Sequence, residues 1–458
     1  MAQTSAGNAT LEDLALFTDL YELTMMEGYL EAGHNPTATF SLFFRSLPPN
    51  RGYVVVAGLE QAIRYLETLS FDEGALAYLA ELGFSESLLQ YLDRFAFTGE
   101  VRALPEGSVA FPNEPLLEVT APICEAQLFE TLLLNQIGYQ SLIATKAARM
   151  RDAVATVGDD QSLVDFGSRR AHGTDAGMKA ARAAYVGGFD GTSNVAAGRA
   201  FDVPVSGTMA HSWVQSFPTE RAAFEVFVDV YGDDSILLVD TYDTIEGAKT
   251  AMAVAEARDV DLRGVRLDSG DLVDLSKRVA EIVGETGLFV TSGMDEYEIE
   301  AFLEDGGVAT GFGPGTALVT SEDAPSLDAV YKLVAVDRDG TLRPTMKLSP
   351  GKVTYPGQKS VRRVEREGRF ERDVLAVRGE GGEGDEQLVE VFEDGSLAYS
   401  VPTLDESRDR ARSQVEKLPQ ECRALRDPAA YPVEISDELR SLTERTRDDL
   451  TAQRRGGD

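Results

Sequence analysis

Two consecutive stretches, ILLVDTYDT (236–244) and GVRLDSGDL (264–272), decide the fold class of this chain. Each has the pattern of a short apolar strand that stops at a polar cluster, and an amphipathic helical pattern follows each one. Strands that are almost continuously apolar and alternate with helices are typical of a parallel sheet covered by helices. The two stretches therefore predict an α/β architecture.

The same alternation continues on both sides, from about residue 160 to residue 330. The predicted strands are 162–166, 203–209, 236–242, 264–267, 288–292 and 308–311, and the predicted helices include 175–186, 220–230, 245–258 and 272–283. An open doubly wound sheet and a closed barrel both fit this order. Nearly every strand ends in a polar or Gly-containing cluster, which favours an irregular (β/α) barrel because barrels carry functional groups at the carboxyl ends of many strands.

The regions before and after this core differ from it in pattern. Residues 1–150 predict an N-terminal α+β domain with a long helix at 125–152, and residues 151–330 predict the barrel core that carries the active site. Residues 331–458 predict a β-rich and helical C-terminal region. No apolar run approaches the roughly 18 residues that span a bilayer, and residues 1–10 lack the pattern of a signal peptide. We therefore expect a cytoplasmic protein.

The charge of the chain excludes some partners. It has 77 acidic and 43 basic residues, a formal net charge of −34, and only nine Lys. Nucleic acid and anionic membranes would be repelled over most of this surface. A carboxylate-rich, Lys-poor surface predicts a halophilic protein, because concentrated salt screens the self-repulsion. The two cysteines, Cys124 and Cys422, exclude a disulfide framework and a four-thiolate zinc site.

Glycine-rich strand ends are candidate phosphate sites. Gly313 and Gly315 lie in GFGPGT (311–316), where backbone N–H groups can converge on an oxyanion; a tight turn is the alternative. Thr192 and Ser193 precede a helix and predict either a simple N-cap or a phosphate-binding helix start. Gly293 lies in another such cluster, TSGMD (291–295).

Charged strand ends supply candidate catalytic groups. Arg266 beside Asp268 can grip a phosphate or carboxylate while the Asp holds Mg²⁺ or sugar hydroxyls; a structural ion pair is the alternative. His211 is a candidate base or nucleophile that Asp240 could orient, although a lone His is more often structural. Phe166 beside Arg169 suits a planar anionic ligand, with a surface salt-bridge cluster as the alternative.

Seven segments in one order carry a similarity that runs from about residue 12 to residue 335. They are TDLYELTM (18–25), DFGSRRAHG (165–173), GTSNVAAG (191–198), VPVSGTMAHSW (203–213), VDTYDT (239–244), VRLDSGDL (265–272) and GFGPGT (311–316). Together they resemble the nicotinate phosphoribosyltransferase family. The resemblance implies a homodimer of irregular α/β barrels with shared active sites. It also implies that nicotinate and phosphoribosyl pyrophosphate are joined to nicotinate mononucleotide in NAD biosynthesis, with Mg²⁺ and usually coupled to ATP hydrolysis.

The resemblance also implies residue roles. Phe166 and the partner's Tyr21 would sandwich the pyridine ring, with Gly207 and Ser212 lining its pocket, and Arg169 and Arg266 would hold the carboxylate and the phosphates. The residue that ATP transiently phosphorylates would be His211, with Asp240 as its orienting partner. Asp268 would lie near the ribose and Mg²⁺-pyrophosphate. The phosphate-binding residues would be Thr192, Ser193, Gly293, Gly313 and Gly315, and no residue is assigned as a metal ligand.

Three rival functions remain open. Quinolinate phosphoribosyltransferase would need more basic residues for a second carboxylate. Nicotinamide phosphoribosyltransferase would favour a carboxylate beside the pyridine, whereas the Arg pair of FGSRR favours an acid. A non-catalytic barrel that binds phosphosugars is the third. The C-terminal zinc cluster of some archaeal relatives should be missing, because Cys422 is the only C-terminal cysteine.

Overall fold

Strands alternate with helices in the middle of the chain, as the sequence predicts. The computed structural model describes residues 13–155, 158, 161–349 and 354–456. The strands are β1 (Thr37–Phe44), β2 (Val54–Val55), β3 (Glu100–Ala103), β4 (Val109–Ala110), β5 (Leu117–Pro122), β6 (Ser162–Asp165), β7 (Gly191–Thr192), β8 (Ile236–Leu238), β9 (Gly264–Leu267), β10 (Gly287–Thr291), β11 (Gly311–Gly313), β12 (Ala329–Arg338), β13 (Thr341–Pro344), β14 (Lys359–Arg366), β15 (Arg369–Val377), β16 (Asp385–Glu386), β17 (Val389–Glu393), β18 (Ser396–Leu397) and β19 (Val433–Ile435).

The helices divide between two compact units of the chain. They are α1 (Leu20–Glu31), α2 (Leu59–Thr68), α3 (Glu73–Glu81), α4 (Glu86–Asp93), α5 (Ile123–Leu128), α6 (Glu130–Ala155), α7 (Thr174–Val186), α8 (Val195–Phe201), α9 (His211–Gln215), α10 (Glu220–Tyr231), α11 (Thr244–Arg258), α12 (Leu272–Val283), α13 (Glu296–Glu304), α14 (Thr316–Val319), α15 (Leu404–Lys417) and α16 (Asp437–Gly456). The first unit comprises Met1–Leu142 with Ser326–Asp458, and the barrel unit comprises Ile143–Pro325. None of the described helices is long and apolar enough to cross a membrane.

The barrel unit contains the predicted parallel sheet. Its six strands lie in the order β7-β6-β11-β10-β9-β8, and each pairing is parallel. At one edge Thr192 forms a parallel bridge with Val205, and at the other edge the Thr208 hydroxyl donates to the Ile236 carbonyl. Residues 203–208 thus lie between the two edge strands and close the sheet into an irregular barrel. The predicted α/β fold is confirmed.

One predicted strand of the barrel is wrong. Residues 203–209 were expected to form a strand, but the strand in this part of the chain is β7, and 203–209 adds only the Thr192–Val205 bridge. Pro204 is the physical reason, because it has no N–H to donate to a second neighbour. Its carbonyl still accepts from the Thr192 N–H, and the Ser206 N–H donates to the Thr192 carbonyl.

The strand-end clusters also start the helices that follow them. Asp243 accepts from the backbone N–H groups of Ile245 and Glu246 at the start of α11, and Asp271 accepts from that of Asp274 at the start of α12. Side-chain oxygens at this position satisfy N–H groups that have no partner within the helix. These two aspartates therefore have a structural role as helix caps, whereas other residues of the clusters, such as Asp268, line the cavity.

The first unit holds the predicted α+β domain and the β-rich C-terminal region. Its seven-stranded antiparallel sheet has the order β13-β12-β1-β5-β3-β17-β18, and the rings of Phe40 and Tyr331 stack on it with centroids 5.0 Å apart. A second sheet, β16-β14-β15-β19, packs around Val361, Leu375 and Leu439. Residues 350–353 of the predicted C-terminal region lie outside the described residues. The domain bounds predicted at 150 and 330 stay a prediction.

Candidate active site

A cavity of about 530 Å³ lies where β6, β9, β10 and β11 end. Its lining includes nine of the predicted site residues: Phe166, Arg169, Ser193, Gly207, Arg266, Asp268, Gly293, Gly313 and Gly315. These residues come from six separate strand ends and loops. The barrel topology brings them together because parallel strands present their carboxyl ends on one side.

Arg266 and Asp268 form the charged centre of the cavity. The Arg266 guanidinium donates to the Met209 carbonyl at 3.0 Å and lies 3.7 Å from Asp268 Oδ2. Burial lowers the pKa of Arg266, while the nearby carboxylates of Asp268 and Asp240 act in the opposite direction. A guanidinium with little access to water binds anions strongly, because the protein screens its charge less than water does.

Asp268 is held in place by its neighbours. Thr291 on β10 donates to Asp268 Oδ1 at 2.5 Å, and the Asp268 backbone N–H donates to Asp240 Oδ2 at 2.8 Å. The Ser269 hydroxyl donates to the same Asp240 oxygen at 2.9 Å. Asp240 thus fixes the turn after β9, and Asp268 directs Oδ2 towards Arg266 and His211.

We expected Asp240 to orient His211, but the residue within hydrogen-bond distance of the His211 ring is Thr241. His211 Nδ1 lies 3.1 Å from the Thr241 hydroxyl, and Nε2 lies 3.7 Å from Asp268 Oδ2. Asp240 faces the turn after β9, and Thr241 faces the histidine.

A buried carboxylate supports the wall of the cavity at the end of β6. Asp165 accepts from the Gly167 backbone N–H at 2.7 Å and from the Thr192 hydroxyl at 2.8 Å, and both side chains are fully buried. Burial raises the pKa of Asp165, and the two hydrogen bonds oppose this shift. Thr192, predicted among the phosphate-binding residues, thus lies behind the cavity with its hydroxyl committed, whereas Ser193 is part of the lining.

The Phe166 ring packs against the glycine loop. A Cβ at Gly313 would lie 2.6 Å from Phe166 Cδ2 and 2.7 Å from Thr291 Cγ2, closer than side-chain atoms approach one another. The Phe166 backbone N–H donates to the Pro314 carbonyl at 2.9 Å. Glycine at 313 therefore lets the aromatic face and the loop lie in contact at the edge of the cavity.

The whole chain has close relatives of known family. Residues 16–138, 161–374 and 383–443 match the N-terminal domain, the family core and the C-terminal domain of nicotinate phosphoribosyltransferase. The chain is 47% identical over 453 residues to the nicotinate phosphoribosyltransferase pncB2 of Mycobacterium tuberculosis. The alignment covers 97% of this chain and 96% of the relative. This chain belongs to the nicotinate phosphoribosyltransferase family.

Other relatives agree with this assignment. The nicotinate phosphoribosyltransferase of Bacillus subtilis is 40% identical, over 93% of this chain and 94% of its own length. The crystal structure of human nicotinic acid phosphoribosyltransferase has a TM-score of 0.83 and 30% identity, covering 94% of this chain and all of that chain. The fold described above is therefore the fold of this family.

Five predicted site residues of this family member lie outside the cavity lining: Thr192, Asp240 and His211, whose contacts are given above, and Ser212 and Tyr21. Ser212 is exposed on α9, next to His211. Tyr21 belongs to the first unit, where it lies on α1 with 45% of its surface exposed. Burial of the hydroxyl raises the pKa of Tyr21, and the carboxylates of Glu130, Glu22 and Asp19 act in the same direction. The predicted contact of Tyr21 with the pyridine stays a prediction.

Several residues of the cavity were missed in the sequence. They are Thr208, Met209, Ala210, Thr291, Ser292, Met294, Thr316, Ala317 and Glu322. Most of them lie within or next to the strand-end clusters. Glu322 lies in none of these clusters, and no motif around it indicates a site residue. Among the described residues, no group of three or more His, Cys, Asp or Glu side chains is arranged to hold a metal ion.

Proposed function

We propose that this protein is a nicotinate phosphoribosyltransferase, which joins nicotinate to phosphoribosyl pyrophosphate and releases pyrophosphate in NAD biosynthesis or salvage. One observation carries the proposal: the ring of Phe166, the guanidinium of Arg169 and the Arg266–Asp268 pair line one cavity. An aromatic face next to guanidinium groups suits a planar, anionic pyridine. Similarity over nearly the whole chain to relatives of that name supports the same assignment.

The reaction makes two demands on the cavity. The nicotinate nitrogen attacks C1 of the ribose while the bond from C1 to pyrophosphate breaks, so positive charge develops on the sugar and negative charge on the leaving group. Preorganised charges that match both are the strongest source of catalysis. Arg266 is suited to the leaving phosphates, and the carboxylate of Asp268 to the sugar. We expect Mg²⁺ to enter with phosphoribosyl pyrophosphate as part of the substrate, since the described residues offer no metal cluster of their own.

The choice of pyridine can be tested directly. Nucleotide formation is measured with nicotinate, nicotinamide and quinolinate in parallel, with phosphoribosyl pyrophosphate and Mg²⁺ in molar salt. Arg169 and Arg170 favour an acid over an amide, so we expect turnover of nicotinate and little of nicotinamide. Preference for nicotinamide or quinolinate would replace the proposal by one of those enzymes. No turnover by a folded protein would favour a non-catalytic phosphosugar-binding barrel.

We further propose that ATP drives the reaction through His211. The imidazole lies 3.7 Å from Asp268 at the centre of the site and is the nitrogen nucleophile there. His211→Ala is expected to abolish the stimulation by ATP and to leave a slow, ATP-independent transfer. ATP stimulation that survives in this variant would contradict the role. His172→Ala is the matched control, because it removes an exposed imidazole that is not the one placed beside Asp268.

We also propose that two copies of the chain share their active sites. Tyr21 lies among exposed apolar side chains at the start of α1, Phe17, Leu20 and Met25, which is unusual on so acidic a surface. A partner subunit that covers this face would receive Tyr21. Tyr21→Ala and Arg266→Ala each lower activity, and mixing the two variants under subunit exchange should restore part of it. A mixture no more active than its components would contradict shared sites.

A further inference from the structure

Thr241 is the polar group that faces Nδ1 of His211. It follows Asp240 after β8, and its hydroxyl oxygen lies 3.1 Å from that nitrogen. On the other side of the ring, Nε2 lies 3.7 Å from Asp268 Oδ2, and Asp268 lines the cavity. The ring therefore lies between the Thr241 hydroxyl at Nδ1 and the Asp268 carboxylate at Nε2, so Nε2 is on the side of a residue that lines the cavity.

A hydroxyl in this position acts differently from a carboxylate. It can accept a hydrogen bond from Nδ1–H or donate one to an unprotonated Nδ1, because it is both donor and acceptor. When it accepts, the proton stays on Nδ1 and the lone pair of Nε2 is free. A carboxylate could only accept, so it would hold the proton on Nδ1 through a charged hydrogen bond, whereas the hydroxyl does so without adding a charge.

The other candidate for this position, Asp240, is engaged through one of its oxygens, while Oδ1 has no hydrogen-bond partner within the described part of the chain. Asp240 Oδ2 accepts from the Asp268 backbone N–H at 2.8 Å and from the Ser269 hydroxyl at 2.9 Å. It therefore positions Asp268 and leaves the histidine to its neighbour in sequence.

We propose that Thr241 is a positioning residue for His211, whose hydroxyl accepts Nδ1–H and thereby presents Nε2 to the cavity as the phosphoryl acceptor. The inference rests on the proposed function and its ATP coupling. In the coupled step the Nε2 lone pair forms a bond to the γ-phosphorus of ATP, and the bond from that phosphorus to the bridging oxygen breaks. ADP leaves with that electron pair, and Nδ1 keeps its proton on the Thr241 oxygen. Water later takes the phosphoryl group from Nε2 and gives inorganic phosphate.

The tautomer of His211 is the first measurement. The chain has three histidines, so ring-¹⁵N labelling gives few signals, and the His211→Ala spectrum identifies those of His211. In the wild type at a pH where the ring is neutral, we expect the proton on Nδ1. In Thr241→Val, which has the same shape without the hydroxyl, the signals should shift towards the Nε2–H form, and Thr241→Ser should restore the wild-type spectrum. An unchanged tautomer in Thr241→Val would overturn the proposal, whether or not the enzyme uses nicotinate.

Kinetics give a second, independent test. Thr241→Val is expected to lower the ATP-dependent rate by roughly tenfold to a hundredfold, the usual cost of a misplaced reacting group, with the ATP-independent rate and the KM for nicotinate unchanged. Thr241→Ser should retain most of the coupling. Thr250→Val, which removes a hydroxyl that donates to the Glu246 carbonyl on α11, is the matched control and should behave as the wild type. Equal losses of the ATP-dependent and ATP-independent rates in Thr241→Val would mean that Thr241 only supports the fold. If the wild type itself does not turn over nicotinate, the proposed function is rejected instead.

Discussion

The Thr192 hydroxyl donates to Asp165 Oδ2 over 2.8 Å, and neither side chain has contact with solvent. The pair joins the end of β6 to β7, next to Phe166 on one side and Ser193 on the other. Ser193 also donates its backbone N–H to the Asp165 carbonyl at 2.8 Å. Asp165 thus ties β6 to β7 through its carboxylate and its backbone carbonyl, and Phe166 and Ser193 of the cavity lining adjoin these bonds.

Thr192→Val should destabilise the protein by about 1–3 kcal/mol, because it leaves a buried carboxylate oxygen without its donor. Urea unfolding followed by circular dichroism measures this free energy. Thr192→Ser keeps the donor and should lose less than Thr192→Val. Equal losses in the two variants would mean that the missing methyl contacts, and not the hydrogen bond, carry the effect.

Gly313→Ala should raise the KM for nicotinate, with a smaller effect on the stability of the fold. The added methyl group would meet Phe166 and Thr291 at 2.6–2.7 Å, so the aromatic ring has to move away from the loop. Steady-state kinetics with varied nicotinate measure the change. Gly138→Ala is the control, since a Cβ there meets nothing within 4 Å. An unaltered KM for Gly313→Ala would show that the ring does not contact the pyridine.

The sequence predicted most of the barrel because its signal is local. The helices α7, α10, α11 and α12 begin and end within one residue of their predicted bounds, since apolar periodicity and capping residues act over a few positions. The two-residue strand β7 was missed because no periodicity can be read from two residues. The hairpin of β14 and β15 was missed because its strands, KSVRRVER and RFERDVLAV, carry many charges.

The site was predicted in its composition and less well in its contacts. Nine predicted residues line the cavity, most of them at or just after the ends of parallel strands, because a parallel barrel brings such residues together. Which of two adjacent residues faces His211 depends on the local path of the chain after β8. That path places Thr241, and not Asp240, at Nδ1. Spacing alone does not contain this information.

Stability should rise with salt before it levels off. With a net charge of −34, the surface carboxylates repel one another and destabilise the folded state. Salt weakens this repulsion, because the Debye screening length falls from about 10 Å at 0.1 M salt to about 3 Å at 1 M. We expect Tm to increase steeply with KCl and to depend on ionic strength rather than on the anion, as a comparison with potassium acetate would test. A Tm that is flat below molar salt would contradict the halophilic interpretation.

Stability should fall as the pH rises above about 5, and Glu22 should account for part of the fall. Glu22 is fully buried on α1; Oε1 accepts from the Thr131 hydroxyl at 3.1 Å, and Oε2 has no hydrogen-bond partner within the described part of the chain. The same hydroxyl donates to Asp19 at 2.6 Å, so the two carboxyl groups compete for one donor. Burial raises the pKa of Glu22 to about 8, and the carboxylates of Glu130 and Asp19 add to the shift.

The sign follows from the two states of Glu22. Between about pH 4.5 and pH 8 the folded protein keeps the Glu22 proton that the unfolded chain has released, so the free energy of unfolding falls by up to about 1.4 kcal/mol per pH unit in this window. Glu22→Gln cannot ionise, and urea unfolding across this range should give it a flatter profile than the wild type. Glu220→Gln is the comparison. Burial and the carboxylates of Asp243 and Asp240 raise the pKa of Glu220 only to about 7. The contribution of Glu220 to the fall in stability should therefore end about one pH unit below that of Glu22. Parallel profiles for the wild type and Glu22→Gln would mean that Glu22 is ionised in the folded protein and that a donor reaches its second oxygen.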